Sequence, residues 1–153
     1  MIPSVGGTRV EREEAVPLQV RSANVLILDE ALPVRRALTE ILGKLGVVPA
    51  DIHEAETPEE ALAKFTATMP RVVFTEFIGV HPDEGLDMIH AMLDAKPDAK
   101  IVLLTSEPRD APEVRAAIRA GVFAHVEKPI RHDKIRAILS ELDSEEGGVE
   151  RYR

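Results

Sequence analysis

Apolar residues along this chain fall into two alternating patterns: short unbroken runs, and stretches in which they recur three or four positions apart. A short unbroken run is typical of a parallel strand that is buried on both faces. The second spacing places the apolar side chains on one face of a helix. The first pattern predicts strands at Val25–Leu28, Val72–Glu76, Ile101–Thr105 and Val122–Val126, and a weaker strand is predicted at Asp51–Ala55.

A helix is predicted after each of these strands. The first helix carries apolar residues from Val34 to Leu45 and ends at Gly46, because glycine favours the C-terminal stop of a helix. Thr57 and Pro58 open the second helix, since Thr is a good N-cap and Pro suits the first helical position. The remaining three contain Leu86–Leu93, Pro112–Ala120 and Arg131–Leu142. This alternation predicts an α/β fold, a doubly wound five-stranded parallel sheet with five helices.

The division of the chain follows from where this alternation begins and stops. The chain has 153 residues, 44% of them hydrophobic, which is enough for one domain with a real core. We assign that domain to residues 23–143. Residues 1–22 show no sustained period and are predicted to be a disordered leader. Residues 144–153, with two acidic residues followed by two glycines, are predicted to be a flexible tail.

Composition excludes several classes of function. Acidic residues number 27 against 19 basic ones, a net charge of −8, which argues against nucleic acid as the main partner. The chain has no cysteine, so disulfides and thiolate chemistry are ruled out and a cytoplasmic location is expected. No apolar run approaches the ~20 residues that a membrane span needs. The sequence therefore predicts a cytoplasmic protein without nucleic acid or membrane as its partner.

Polar residues stand at the carboxyl ends of four predicted strands. They are Asp29 and Glu30, Glu76, Thr105 and Ser106, and Lys128. The carboxyl ends of parallel strands meet at one edge of a sheet, where the ligands of such folds bind. Clustered carboxylates invite a divalent cation such as Mg²⁺, while a lysine and a hydroxyl stabilise phosphoryl oxygens. The set predicts a site at which a metal ion and a phosphoryl group meet.

Short motifs along residues 23–143 resemble the receiver domain of two-component response regulators, including single-domain chemotaxis-type regulators. They are Leu26–Glu30, Val34–Arg36, Glu54–Ala55, Ala61–Leu62, Gly85–Leu86, Leu103–Glu107, Ala120–Gly121 and Lys128–Pro129. Each motif alone is weak, but together and in this order they are specific. The resemblance implies the flavodoxin-like receiver fold, a place in phosphorelay signalling, and no enzymatic activity beyond a receiver's own phosphorylation and dephosphorylation.

The resemblance also implies roles for the residues at the strand ends. Asp29 and Glu30 correspond to the metal-binding pair, which Glu76 completes as a third ligand for Mg²⁺. Glu76 stands at the phosphoacceptor position. Thr105 contacts and senses the phosphoryl group, and Lys128 pairs with the acceptor carboxylate.

The resemblance also implies which residues change conformation in signalling and which surface contacts partner proteins. Thr105 and His125 stand at the switch positions, although His125 is equally well explained as a half-exposed strand residue. The Lys128–Pro129 peptide bond is expected to be cis. Receivers commonly contact their partners through the face formed by the fourth helix, the fifth strand and the fifth helix.

Glu76 is the main departure from the family, because receivers carry aspartate there. The extra methylene moves the carboxylate toward the space that phosphoryl oxygens would fill. Glu76 therefore either imitates a phosphorylated aspartate or forms a plain ion pair with Lys128. The following loop, Phe77–Gly85, also looks one residue longer than usual. Asp83 in this loop and Asp87 early in the next helix are poor substitutes for the acceptor, and His81 is interpreted as a loop residue.

Three hypotheses of function remain from the sequence. The first is an atypical stand-alone receiver that acts by protein–protein interaction, with a histidine kinase or a downstream target as partner and a homodimer left open. The second is a working phosphorelay receiver that takes phosphate from a histidine kinase with Mg²⁺. The third, an enzyme or flavin carrier, is disfavoured because Glu30–Pro33 lacks a loop that would cradle a phosphate.

Overall fold

The computed structural model describes residues 24–76 and 82–143. The predicted leader, residues 1–22, and the predicted tail, residues 144–153, lie outside the described residues, as does His81. In the described part of the chain, no helix is long and apolar enough to cross a membrane.

Five strands and five α-helices alternate along the described chain. The strands are β1 (Val25–Leu28), β2 (Ile52–Ala55), β3 (Val72–Thr75), β4 (Lys100–Thr105) and β5 (Ala124–Glu127). The helices are α1 (Leu32–Lys44), α2 (Pro58–Thr68), α3 (Pro82–Ala95), α4 (Pro112–Ala120) and α5 (His132–Ser140). Two short 3₁₀ helices are added at Pro49–Asp51 and Glu141–Asp143.

The strands form one parallel sheet in the order β2-β1-β3-β4-β5. Leu28 at the end of β1 pairs in register with Ala55 of β2 and Thr75 of β3. The chain winds in one direction from β1 to β2 and in the other from β3 to β5, so the strand order reverses between β1 and β3. This reversal opens a crevice at the carboxyl ends of the central strands. The predicted doubly wound five-stranded sheet is confirmed.

Each face of the sheet has its own apolar core, because successive strand residues point to opposite sides. Ile27, Phe74 and Val102 belong to the core beneath α1 and α5. Leu28 and Val73 belong to the core on the other face, beneath α2, α3 and α4. Burial on both faces explains why β1, β3 and β4 read as unbroken apolar runs in the sequence.

Local signals in the sequence set most helix ends. Gly46 follows α1 with a φ of 106°, a left-handed conformation that glycine adopts without steric cost. Thr57 caps α2, and its Oγ1 accepts a hydrogen bond from Glu60 N at 3.1 Å. Gly121 ends α4 with a φ of 116°, and a Cβ added there would lie 3.2 Å from Leu93 Cδ1. A side chain at position 121 would therefore be both strained and crowded.

The structure corrects several predicted boundaries. β2 begins at Ile52, because Pro49–Asp51 form a 3₁₀ turn. β5 begins at Ala124, and α5 ends at Ser140 before its own 3₁₀ turn. α3 begins at Pro82, which suits the first turn of a helix, so Asp83 lies in that turn and is exposed. The prediction of a loop reaching Gly85 was therefore wrong for its last four residues.

Candidate functional site

Asp29 lies at the floor of the crevice, directly after β1. It is only 1% exposed. Its Oδ1 accepts a hydrogen bond from Ala31 N at 2.9 Å, and its backbone N–H donates to Ala55 O at 3.1 Å. These contacts fix the carboxyl group at the start of the turn into α1 and leave Oδ2 facing the crevice.

Lys128, just beyond β5, reaches across to the carboxylates of two other strand ends. Its Nζ lies 3.1 Å from Asp29 Oδ2 and 3.0 Å from Glu76 Oε2. Its backbone N–H donates to Thr105 O at 2.8 Å, which anchors the residue to the end of β4. The Lys128–Pro129 bond is cis, as the resemblance implied. One ammonium group therefore bridges β1 and β3 from the edge strand.

Glu76 follows β3 and is held through its backbone, because its N–H donates to Leu28 O at 3.1 Å. Its side chain is 25% exposed. Burial raises the pKa of Glu76, against the opposing effect of the hydrogen bond from Lys128. Burial alone would lower the pKa of Lys128, but its bonds to Glu76 and Asp29 outweigh that effect and raise it. The raised pKa of Lys128 keeps its ammonium group charged beside both carboxylates.

Thr105 and His125 meet through the backbone of one residue. Thr105 is buried, and its Oγ1 accepts a hydrogen bond from Glu107 N at 3.1 Å. The Nε2 of His125 lies 3.2 Å from the carbonyl oxygen of Glu107, which accepts a hydrogen bond from it. The two predicted switch residues thus contact the same peptide segment after β4, although neither contacts Glu76 in a recorded hydrogen bond.

His125 is expected to make stability depend on pH. Burial lowers the pKa of His125, against the hydrogen bond to Glu107 that raises it. Between its folded and its unfolded pKa, such a histidine is neutral in the native state while the unfolded chain binds a proton. The contribution of His125 to the free energy of unfolding is therefore fully present above its unfolded pKa of about 6.5. It is lost as the pH falls through the folded pKa.

Urea unfolding followed between about pH 7 and pH 5 checks this effect. The natural chain is expected to lose stability toward low pH relative to His125→Gln. His90→Gln, which changes an exposed histidine of α3, is the matched control and is expected to follow the natural chain. Identical pH profiles for the natural chain and His125→Gln would contradict the burial argument.

Comparison of this chain with known protein families identifies one that fits this geometry. Residues 25–140 match the response regulator receiver domain, from the first residue of β1 to the last residue of α5. The chain belongs to the response regulator receiver family. The resemblance drawn from the motifs is therefore confirmed, together with a role in two-component signalling.

Curated relatives of this receiver are mostly longer proteins. The photosynthetic apparatus regulatory protein RegA of Rhodovulum sulfidophilum is 30% identical over 116 residues, which cover 76% of this chain and 61% of RegA. The DNA-binding transcriptional regulator NtrC of Azospirillum brasilense is 31% identical over 112 residues, 71% of this chain and 21% of NtrC. The receiver thus spans less than two thirds of either relative, and only the shared domain is comparable.

Solved structures show the same fold for this receiver. The chemotaxis protein CheY4 of Vibrio cholerae superimposes with a TM-score of 0.66 at 22% identity, over 78% of this chain and 98% of CheY4. A two-component response regulator from Clostridium difficile gives 0.67 at 23% identity, over 80% of this chain and all of its own. At these identities the likeness concerns the fold.

Arg35 of the Val34–Arg36 motif has a structural role in this receiver that the motif alone does not predict. It is buried in α1, and its Nη1 donates to the backbone oxygen of Asp29 at 2.7 Å. Its Nε donates to Glu54 Oε1 at 2.9 Å. The guanidinium therefore ties the turn carrying Asp29 to β2. A burial signal was available, since Arg35 lies three residues before the buried Leu38 on the same helical face.

The three predicted Mg²⁺ ligands of this receiver are not gathered into one group. Glu30 is exposed, whereas Asp29 and Glu76 each present an oxygen to Lys128. Over residues 24–76 and 82–143, no three His, Cys, Asp or Glu side chains are placed to hold a metal ion together. The arrangement does not fit a metal bound by all three carboxylates while Lys128 keeps both contacts, so their metal role stays a prediction.

Proposed function

We propose that this receiver works in two-component signal transduction through protein–protein contact, without aspartyl phosphorylation. The observation that supports it is the position of Lys128 Nζ, 3.0 Å from Glu76 Oε2 and 3.1 Å from Asp29 Oδ2. Glu76 stands where the family has its phosphoacceptor aspartate, and its carboxylate is already paired with the lysine. The plain ion pair considered from the sequence is thus the contact on which the proposal rests.

The chemistry of phosphoryl transfer supports the same proposal. Attack on a phosphoryl group requires the nucleophile to be in line and close, and small displacements cost large factors in rate. The extra methylene of Glu76 displaces the carboxylate from the place that an aspartate would give it. The charge of the acceptor position is kept, but its reach is altered. With Glu76 at this position, the receiver stays in one conformational state and does not alternate between two.

Receiver domains generally bind Mg²⁺ for phosphorylation. In this receiver Asp29, Glu30 and Glu76 would be the residues to hold it. Because Lys128 occupies one oxygen of Asp29 and one of Glu76, the metal would compete with the ammonium. We therefore propose weak Mg²⁺ binding at most.

The proposed output is contact with another signalling protein, either a histidine kinase or a downstream target. The proposed surface is the α4–β5–α5 face, which includes His125. A homodimer through the same face is a further arrangement that this proposal accommodates. The proposed compartment is the cytoplasm, an environment that suits a chain without cysteine.

Intact-mass measurement of the full chain after incubation with acetyl phosphate and Mg²⁺ tests the proposal. The natural chain is expected to gain no phosphoryl group, because its acceptor position is displaced and paired. Glu76→Asp, treated in parallel, is the positive control for the rest of the pocket. A phosphoryl adduct on the natural chain would overturn the proposal in favour of a working phosphorelay receiver.

A further inference from the structure

The charge of this acidic chain is unevenly distributed. Residues 109–136 contain seven basic and four acidic residues, a net charge of +3 within a chain of net charge −8. This stretch runs from the end of the β4–α4 connection through α4 and β5 into α5. A basic stretch on an acidic protein attracts negatively charged partners.

An open groove lies within this basic stretch. We call it the arginine groove, and it is lined by Arg109, Asp110, Arg115, Ile118 and Arg119. Its volume is about 550 Å³. A second recess of about 340 Å³ adjoins it, shares Arg109, and includes Lys134 of α5. The two recesses together follow the α4–β5–α5 face.

Two of the groove arginines form no ion pair with the carboxylates of residues 24–76 and 82–143. Arg115 and Arg119 are exposed and lie one turn apart on α4. Like charges four residues apart on a helix repel each other. Within the described ranges, neither guanidinium makes an ion pair with a carboxylate, whereas Arg35, Lys64 and Lys96 all do. An acidic ligand seated between Arg115 and Arg119 would relieve the repulsion.

The floor of the groove adds an apolar contact. Ile118 is partly buried and packs against the core under α4, with the rest of its side chain turned to the groove. Arginine presents a planar fork of donors that fits a carboxylate by two parallel hydrogen bonds. A ligand with carboxylates beside an apolar side chain satisfies both features. Asp110 at the edge of the groove disfavours a ligand that is uniformly negative along its length.

The chain's own terminal segments carry little net negative charge. Residues 1–22 contain three glutamates and three arginines, so they carry no net charge. Residues 144–153 contain three glutamates and two arginines. Charge complementarity therefore favours an occupant from another protein.

We propose that the arginine groove binds an acidic segment of a partner protein, in which glutamate or aspartate flanks an apolar side chain. The proposal deepens the proposed function and rests on it, because it names the chemistry of the partner that the α4–β5–α5 face receives. Arg115 and Arg119 bind the carboxylates, and Ile118 contacts the apolar side chain.

Fluorescence anisotropy of the full natural chain with a labelled synthetic peptide of glutamates flanking leucine tests this proposal. A second probe replaces every glutamate with glutamine. The glutamate probe is expected to bind at least about tenfold more tightly at low salt, and the difference is expected to shrink at higher salt. Arg115→Ala/Arg119→Ala is expected to lose about tenfold in affinity for the glutamate probe.

The matched control is Arg36→Ala/Lys44→Ala, which removes the same charge from exposed positions of α1. Helix α1 packs on the opposite face of the sheet from α4, so this variant is expected to bind like the natural chain. Thermal unfolding of both double variants checks that no change in affinity comes from misfolding.

Several results would overturn the groove proposal. These are equal binding of the two probes, equal losses in the two double variants, no binding by the natural chain, or tighter binding of a single-stranded oligonucleotide with the same arginine dependence. The proposed function fails separately, by a phosphoryl adduct on the natural chain. Probe binding together with such an adduct would reject the phosphorylation-independent role and keep the groove.

Discussion

Glu76→Asp is expected to gain one phosphoryl group from acetyl phosphate and Mg²⁺, under conditions in which the natural chain gains none. The shorter side chain withdraws the carboxylate by one methylene from Lys128 and restores the family's acceptor. Asp29, Thr105 and Lys128 already lie at the same edge of the sheet, with Asp29 buried after β1, Thr105 at the end of β4 and Lys128 directly after β5. Intact mass over a time course measures the gain, and peptide mapping locates it.

The control for this substitution is Glu76→Gln, which keeps the length of the side chain and removes its nucleophilic carboxylate. It is expected to gain no phosphoryl group. An adduct that maps to the exposed Asp83 or Asp87 would mean that another carboxylate is the acceptor. No adduct on Glu76→Asp would show that the pocket differs from a working receiver at more than one position, and the segment after Glu76 would be the next to replace.

The position of Glu76 beside the other site residues can be predicted from the sequence, because the topology brings the carboxyl ends of the strands together. Once parallel strands are predicted, Asp29, Glu76, Thr105 and Lys128 must share one edge of the sheet. The sequence does not predict which carboxylates the flexible side chain of Lys128 contacts. Lys128 contacts both carboxylates, and these contacts depend on the distances between the ends of β1, β3 and β5.

Two other features lay beyond sequence reasoning for similar physical reasons. Arg35 is polar, yet it is buried because its guanidinium finds a backbone oxygen after β1 and a carboxylate on β2. Buried charges of this kind are stable only when such partners exist, and the partners come from other elements. The start of α3 was misjudged because Pro82 and Gly85 suggest a loop in the sequence, whereas proline is also well suited to a first helical turn.

The largest stability effect is expected for Leu28→Ala. Leu28 is 1% exposed in β1, which is flanked by β2 and β3, and it packs in the core beneath α2, α3 and α4. Removing its side chain loses the transfer free energy of the buried atoms and leaves a cavity, at a cost of roughly 2–5 kcal/mol. Urea unfolding followed by far-UV circular dichroism measures this cost, since the chain has no tryptophan and one tyrosine.

Two comparisons separate the core contribution of Leu28 from other effects of the substitution. Leu32→Ala removes the same side chain from a position that is 45% exposed, and it is expected to change the free energy of unfolding by less than about 0.5 kcal/mol. Thr105→Ala removes the acceptor of the Glu107 N–H from a residue that is 4% exposed, at an expected cost of about 1 kcal/mol. The expected order of stability loss is Leu28, then Thr105, then Leu32. Equal losses from Leu28→Ala and Leu32→Ala would contradict the central position of β1, and with it the placement of Asp29 at the floor of the crevice.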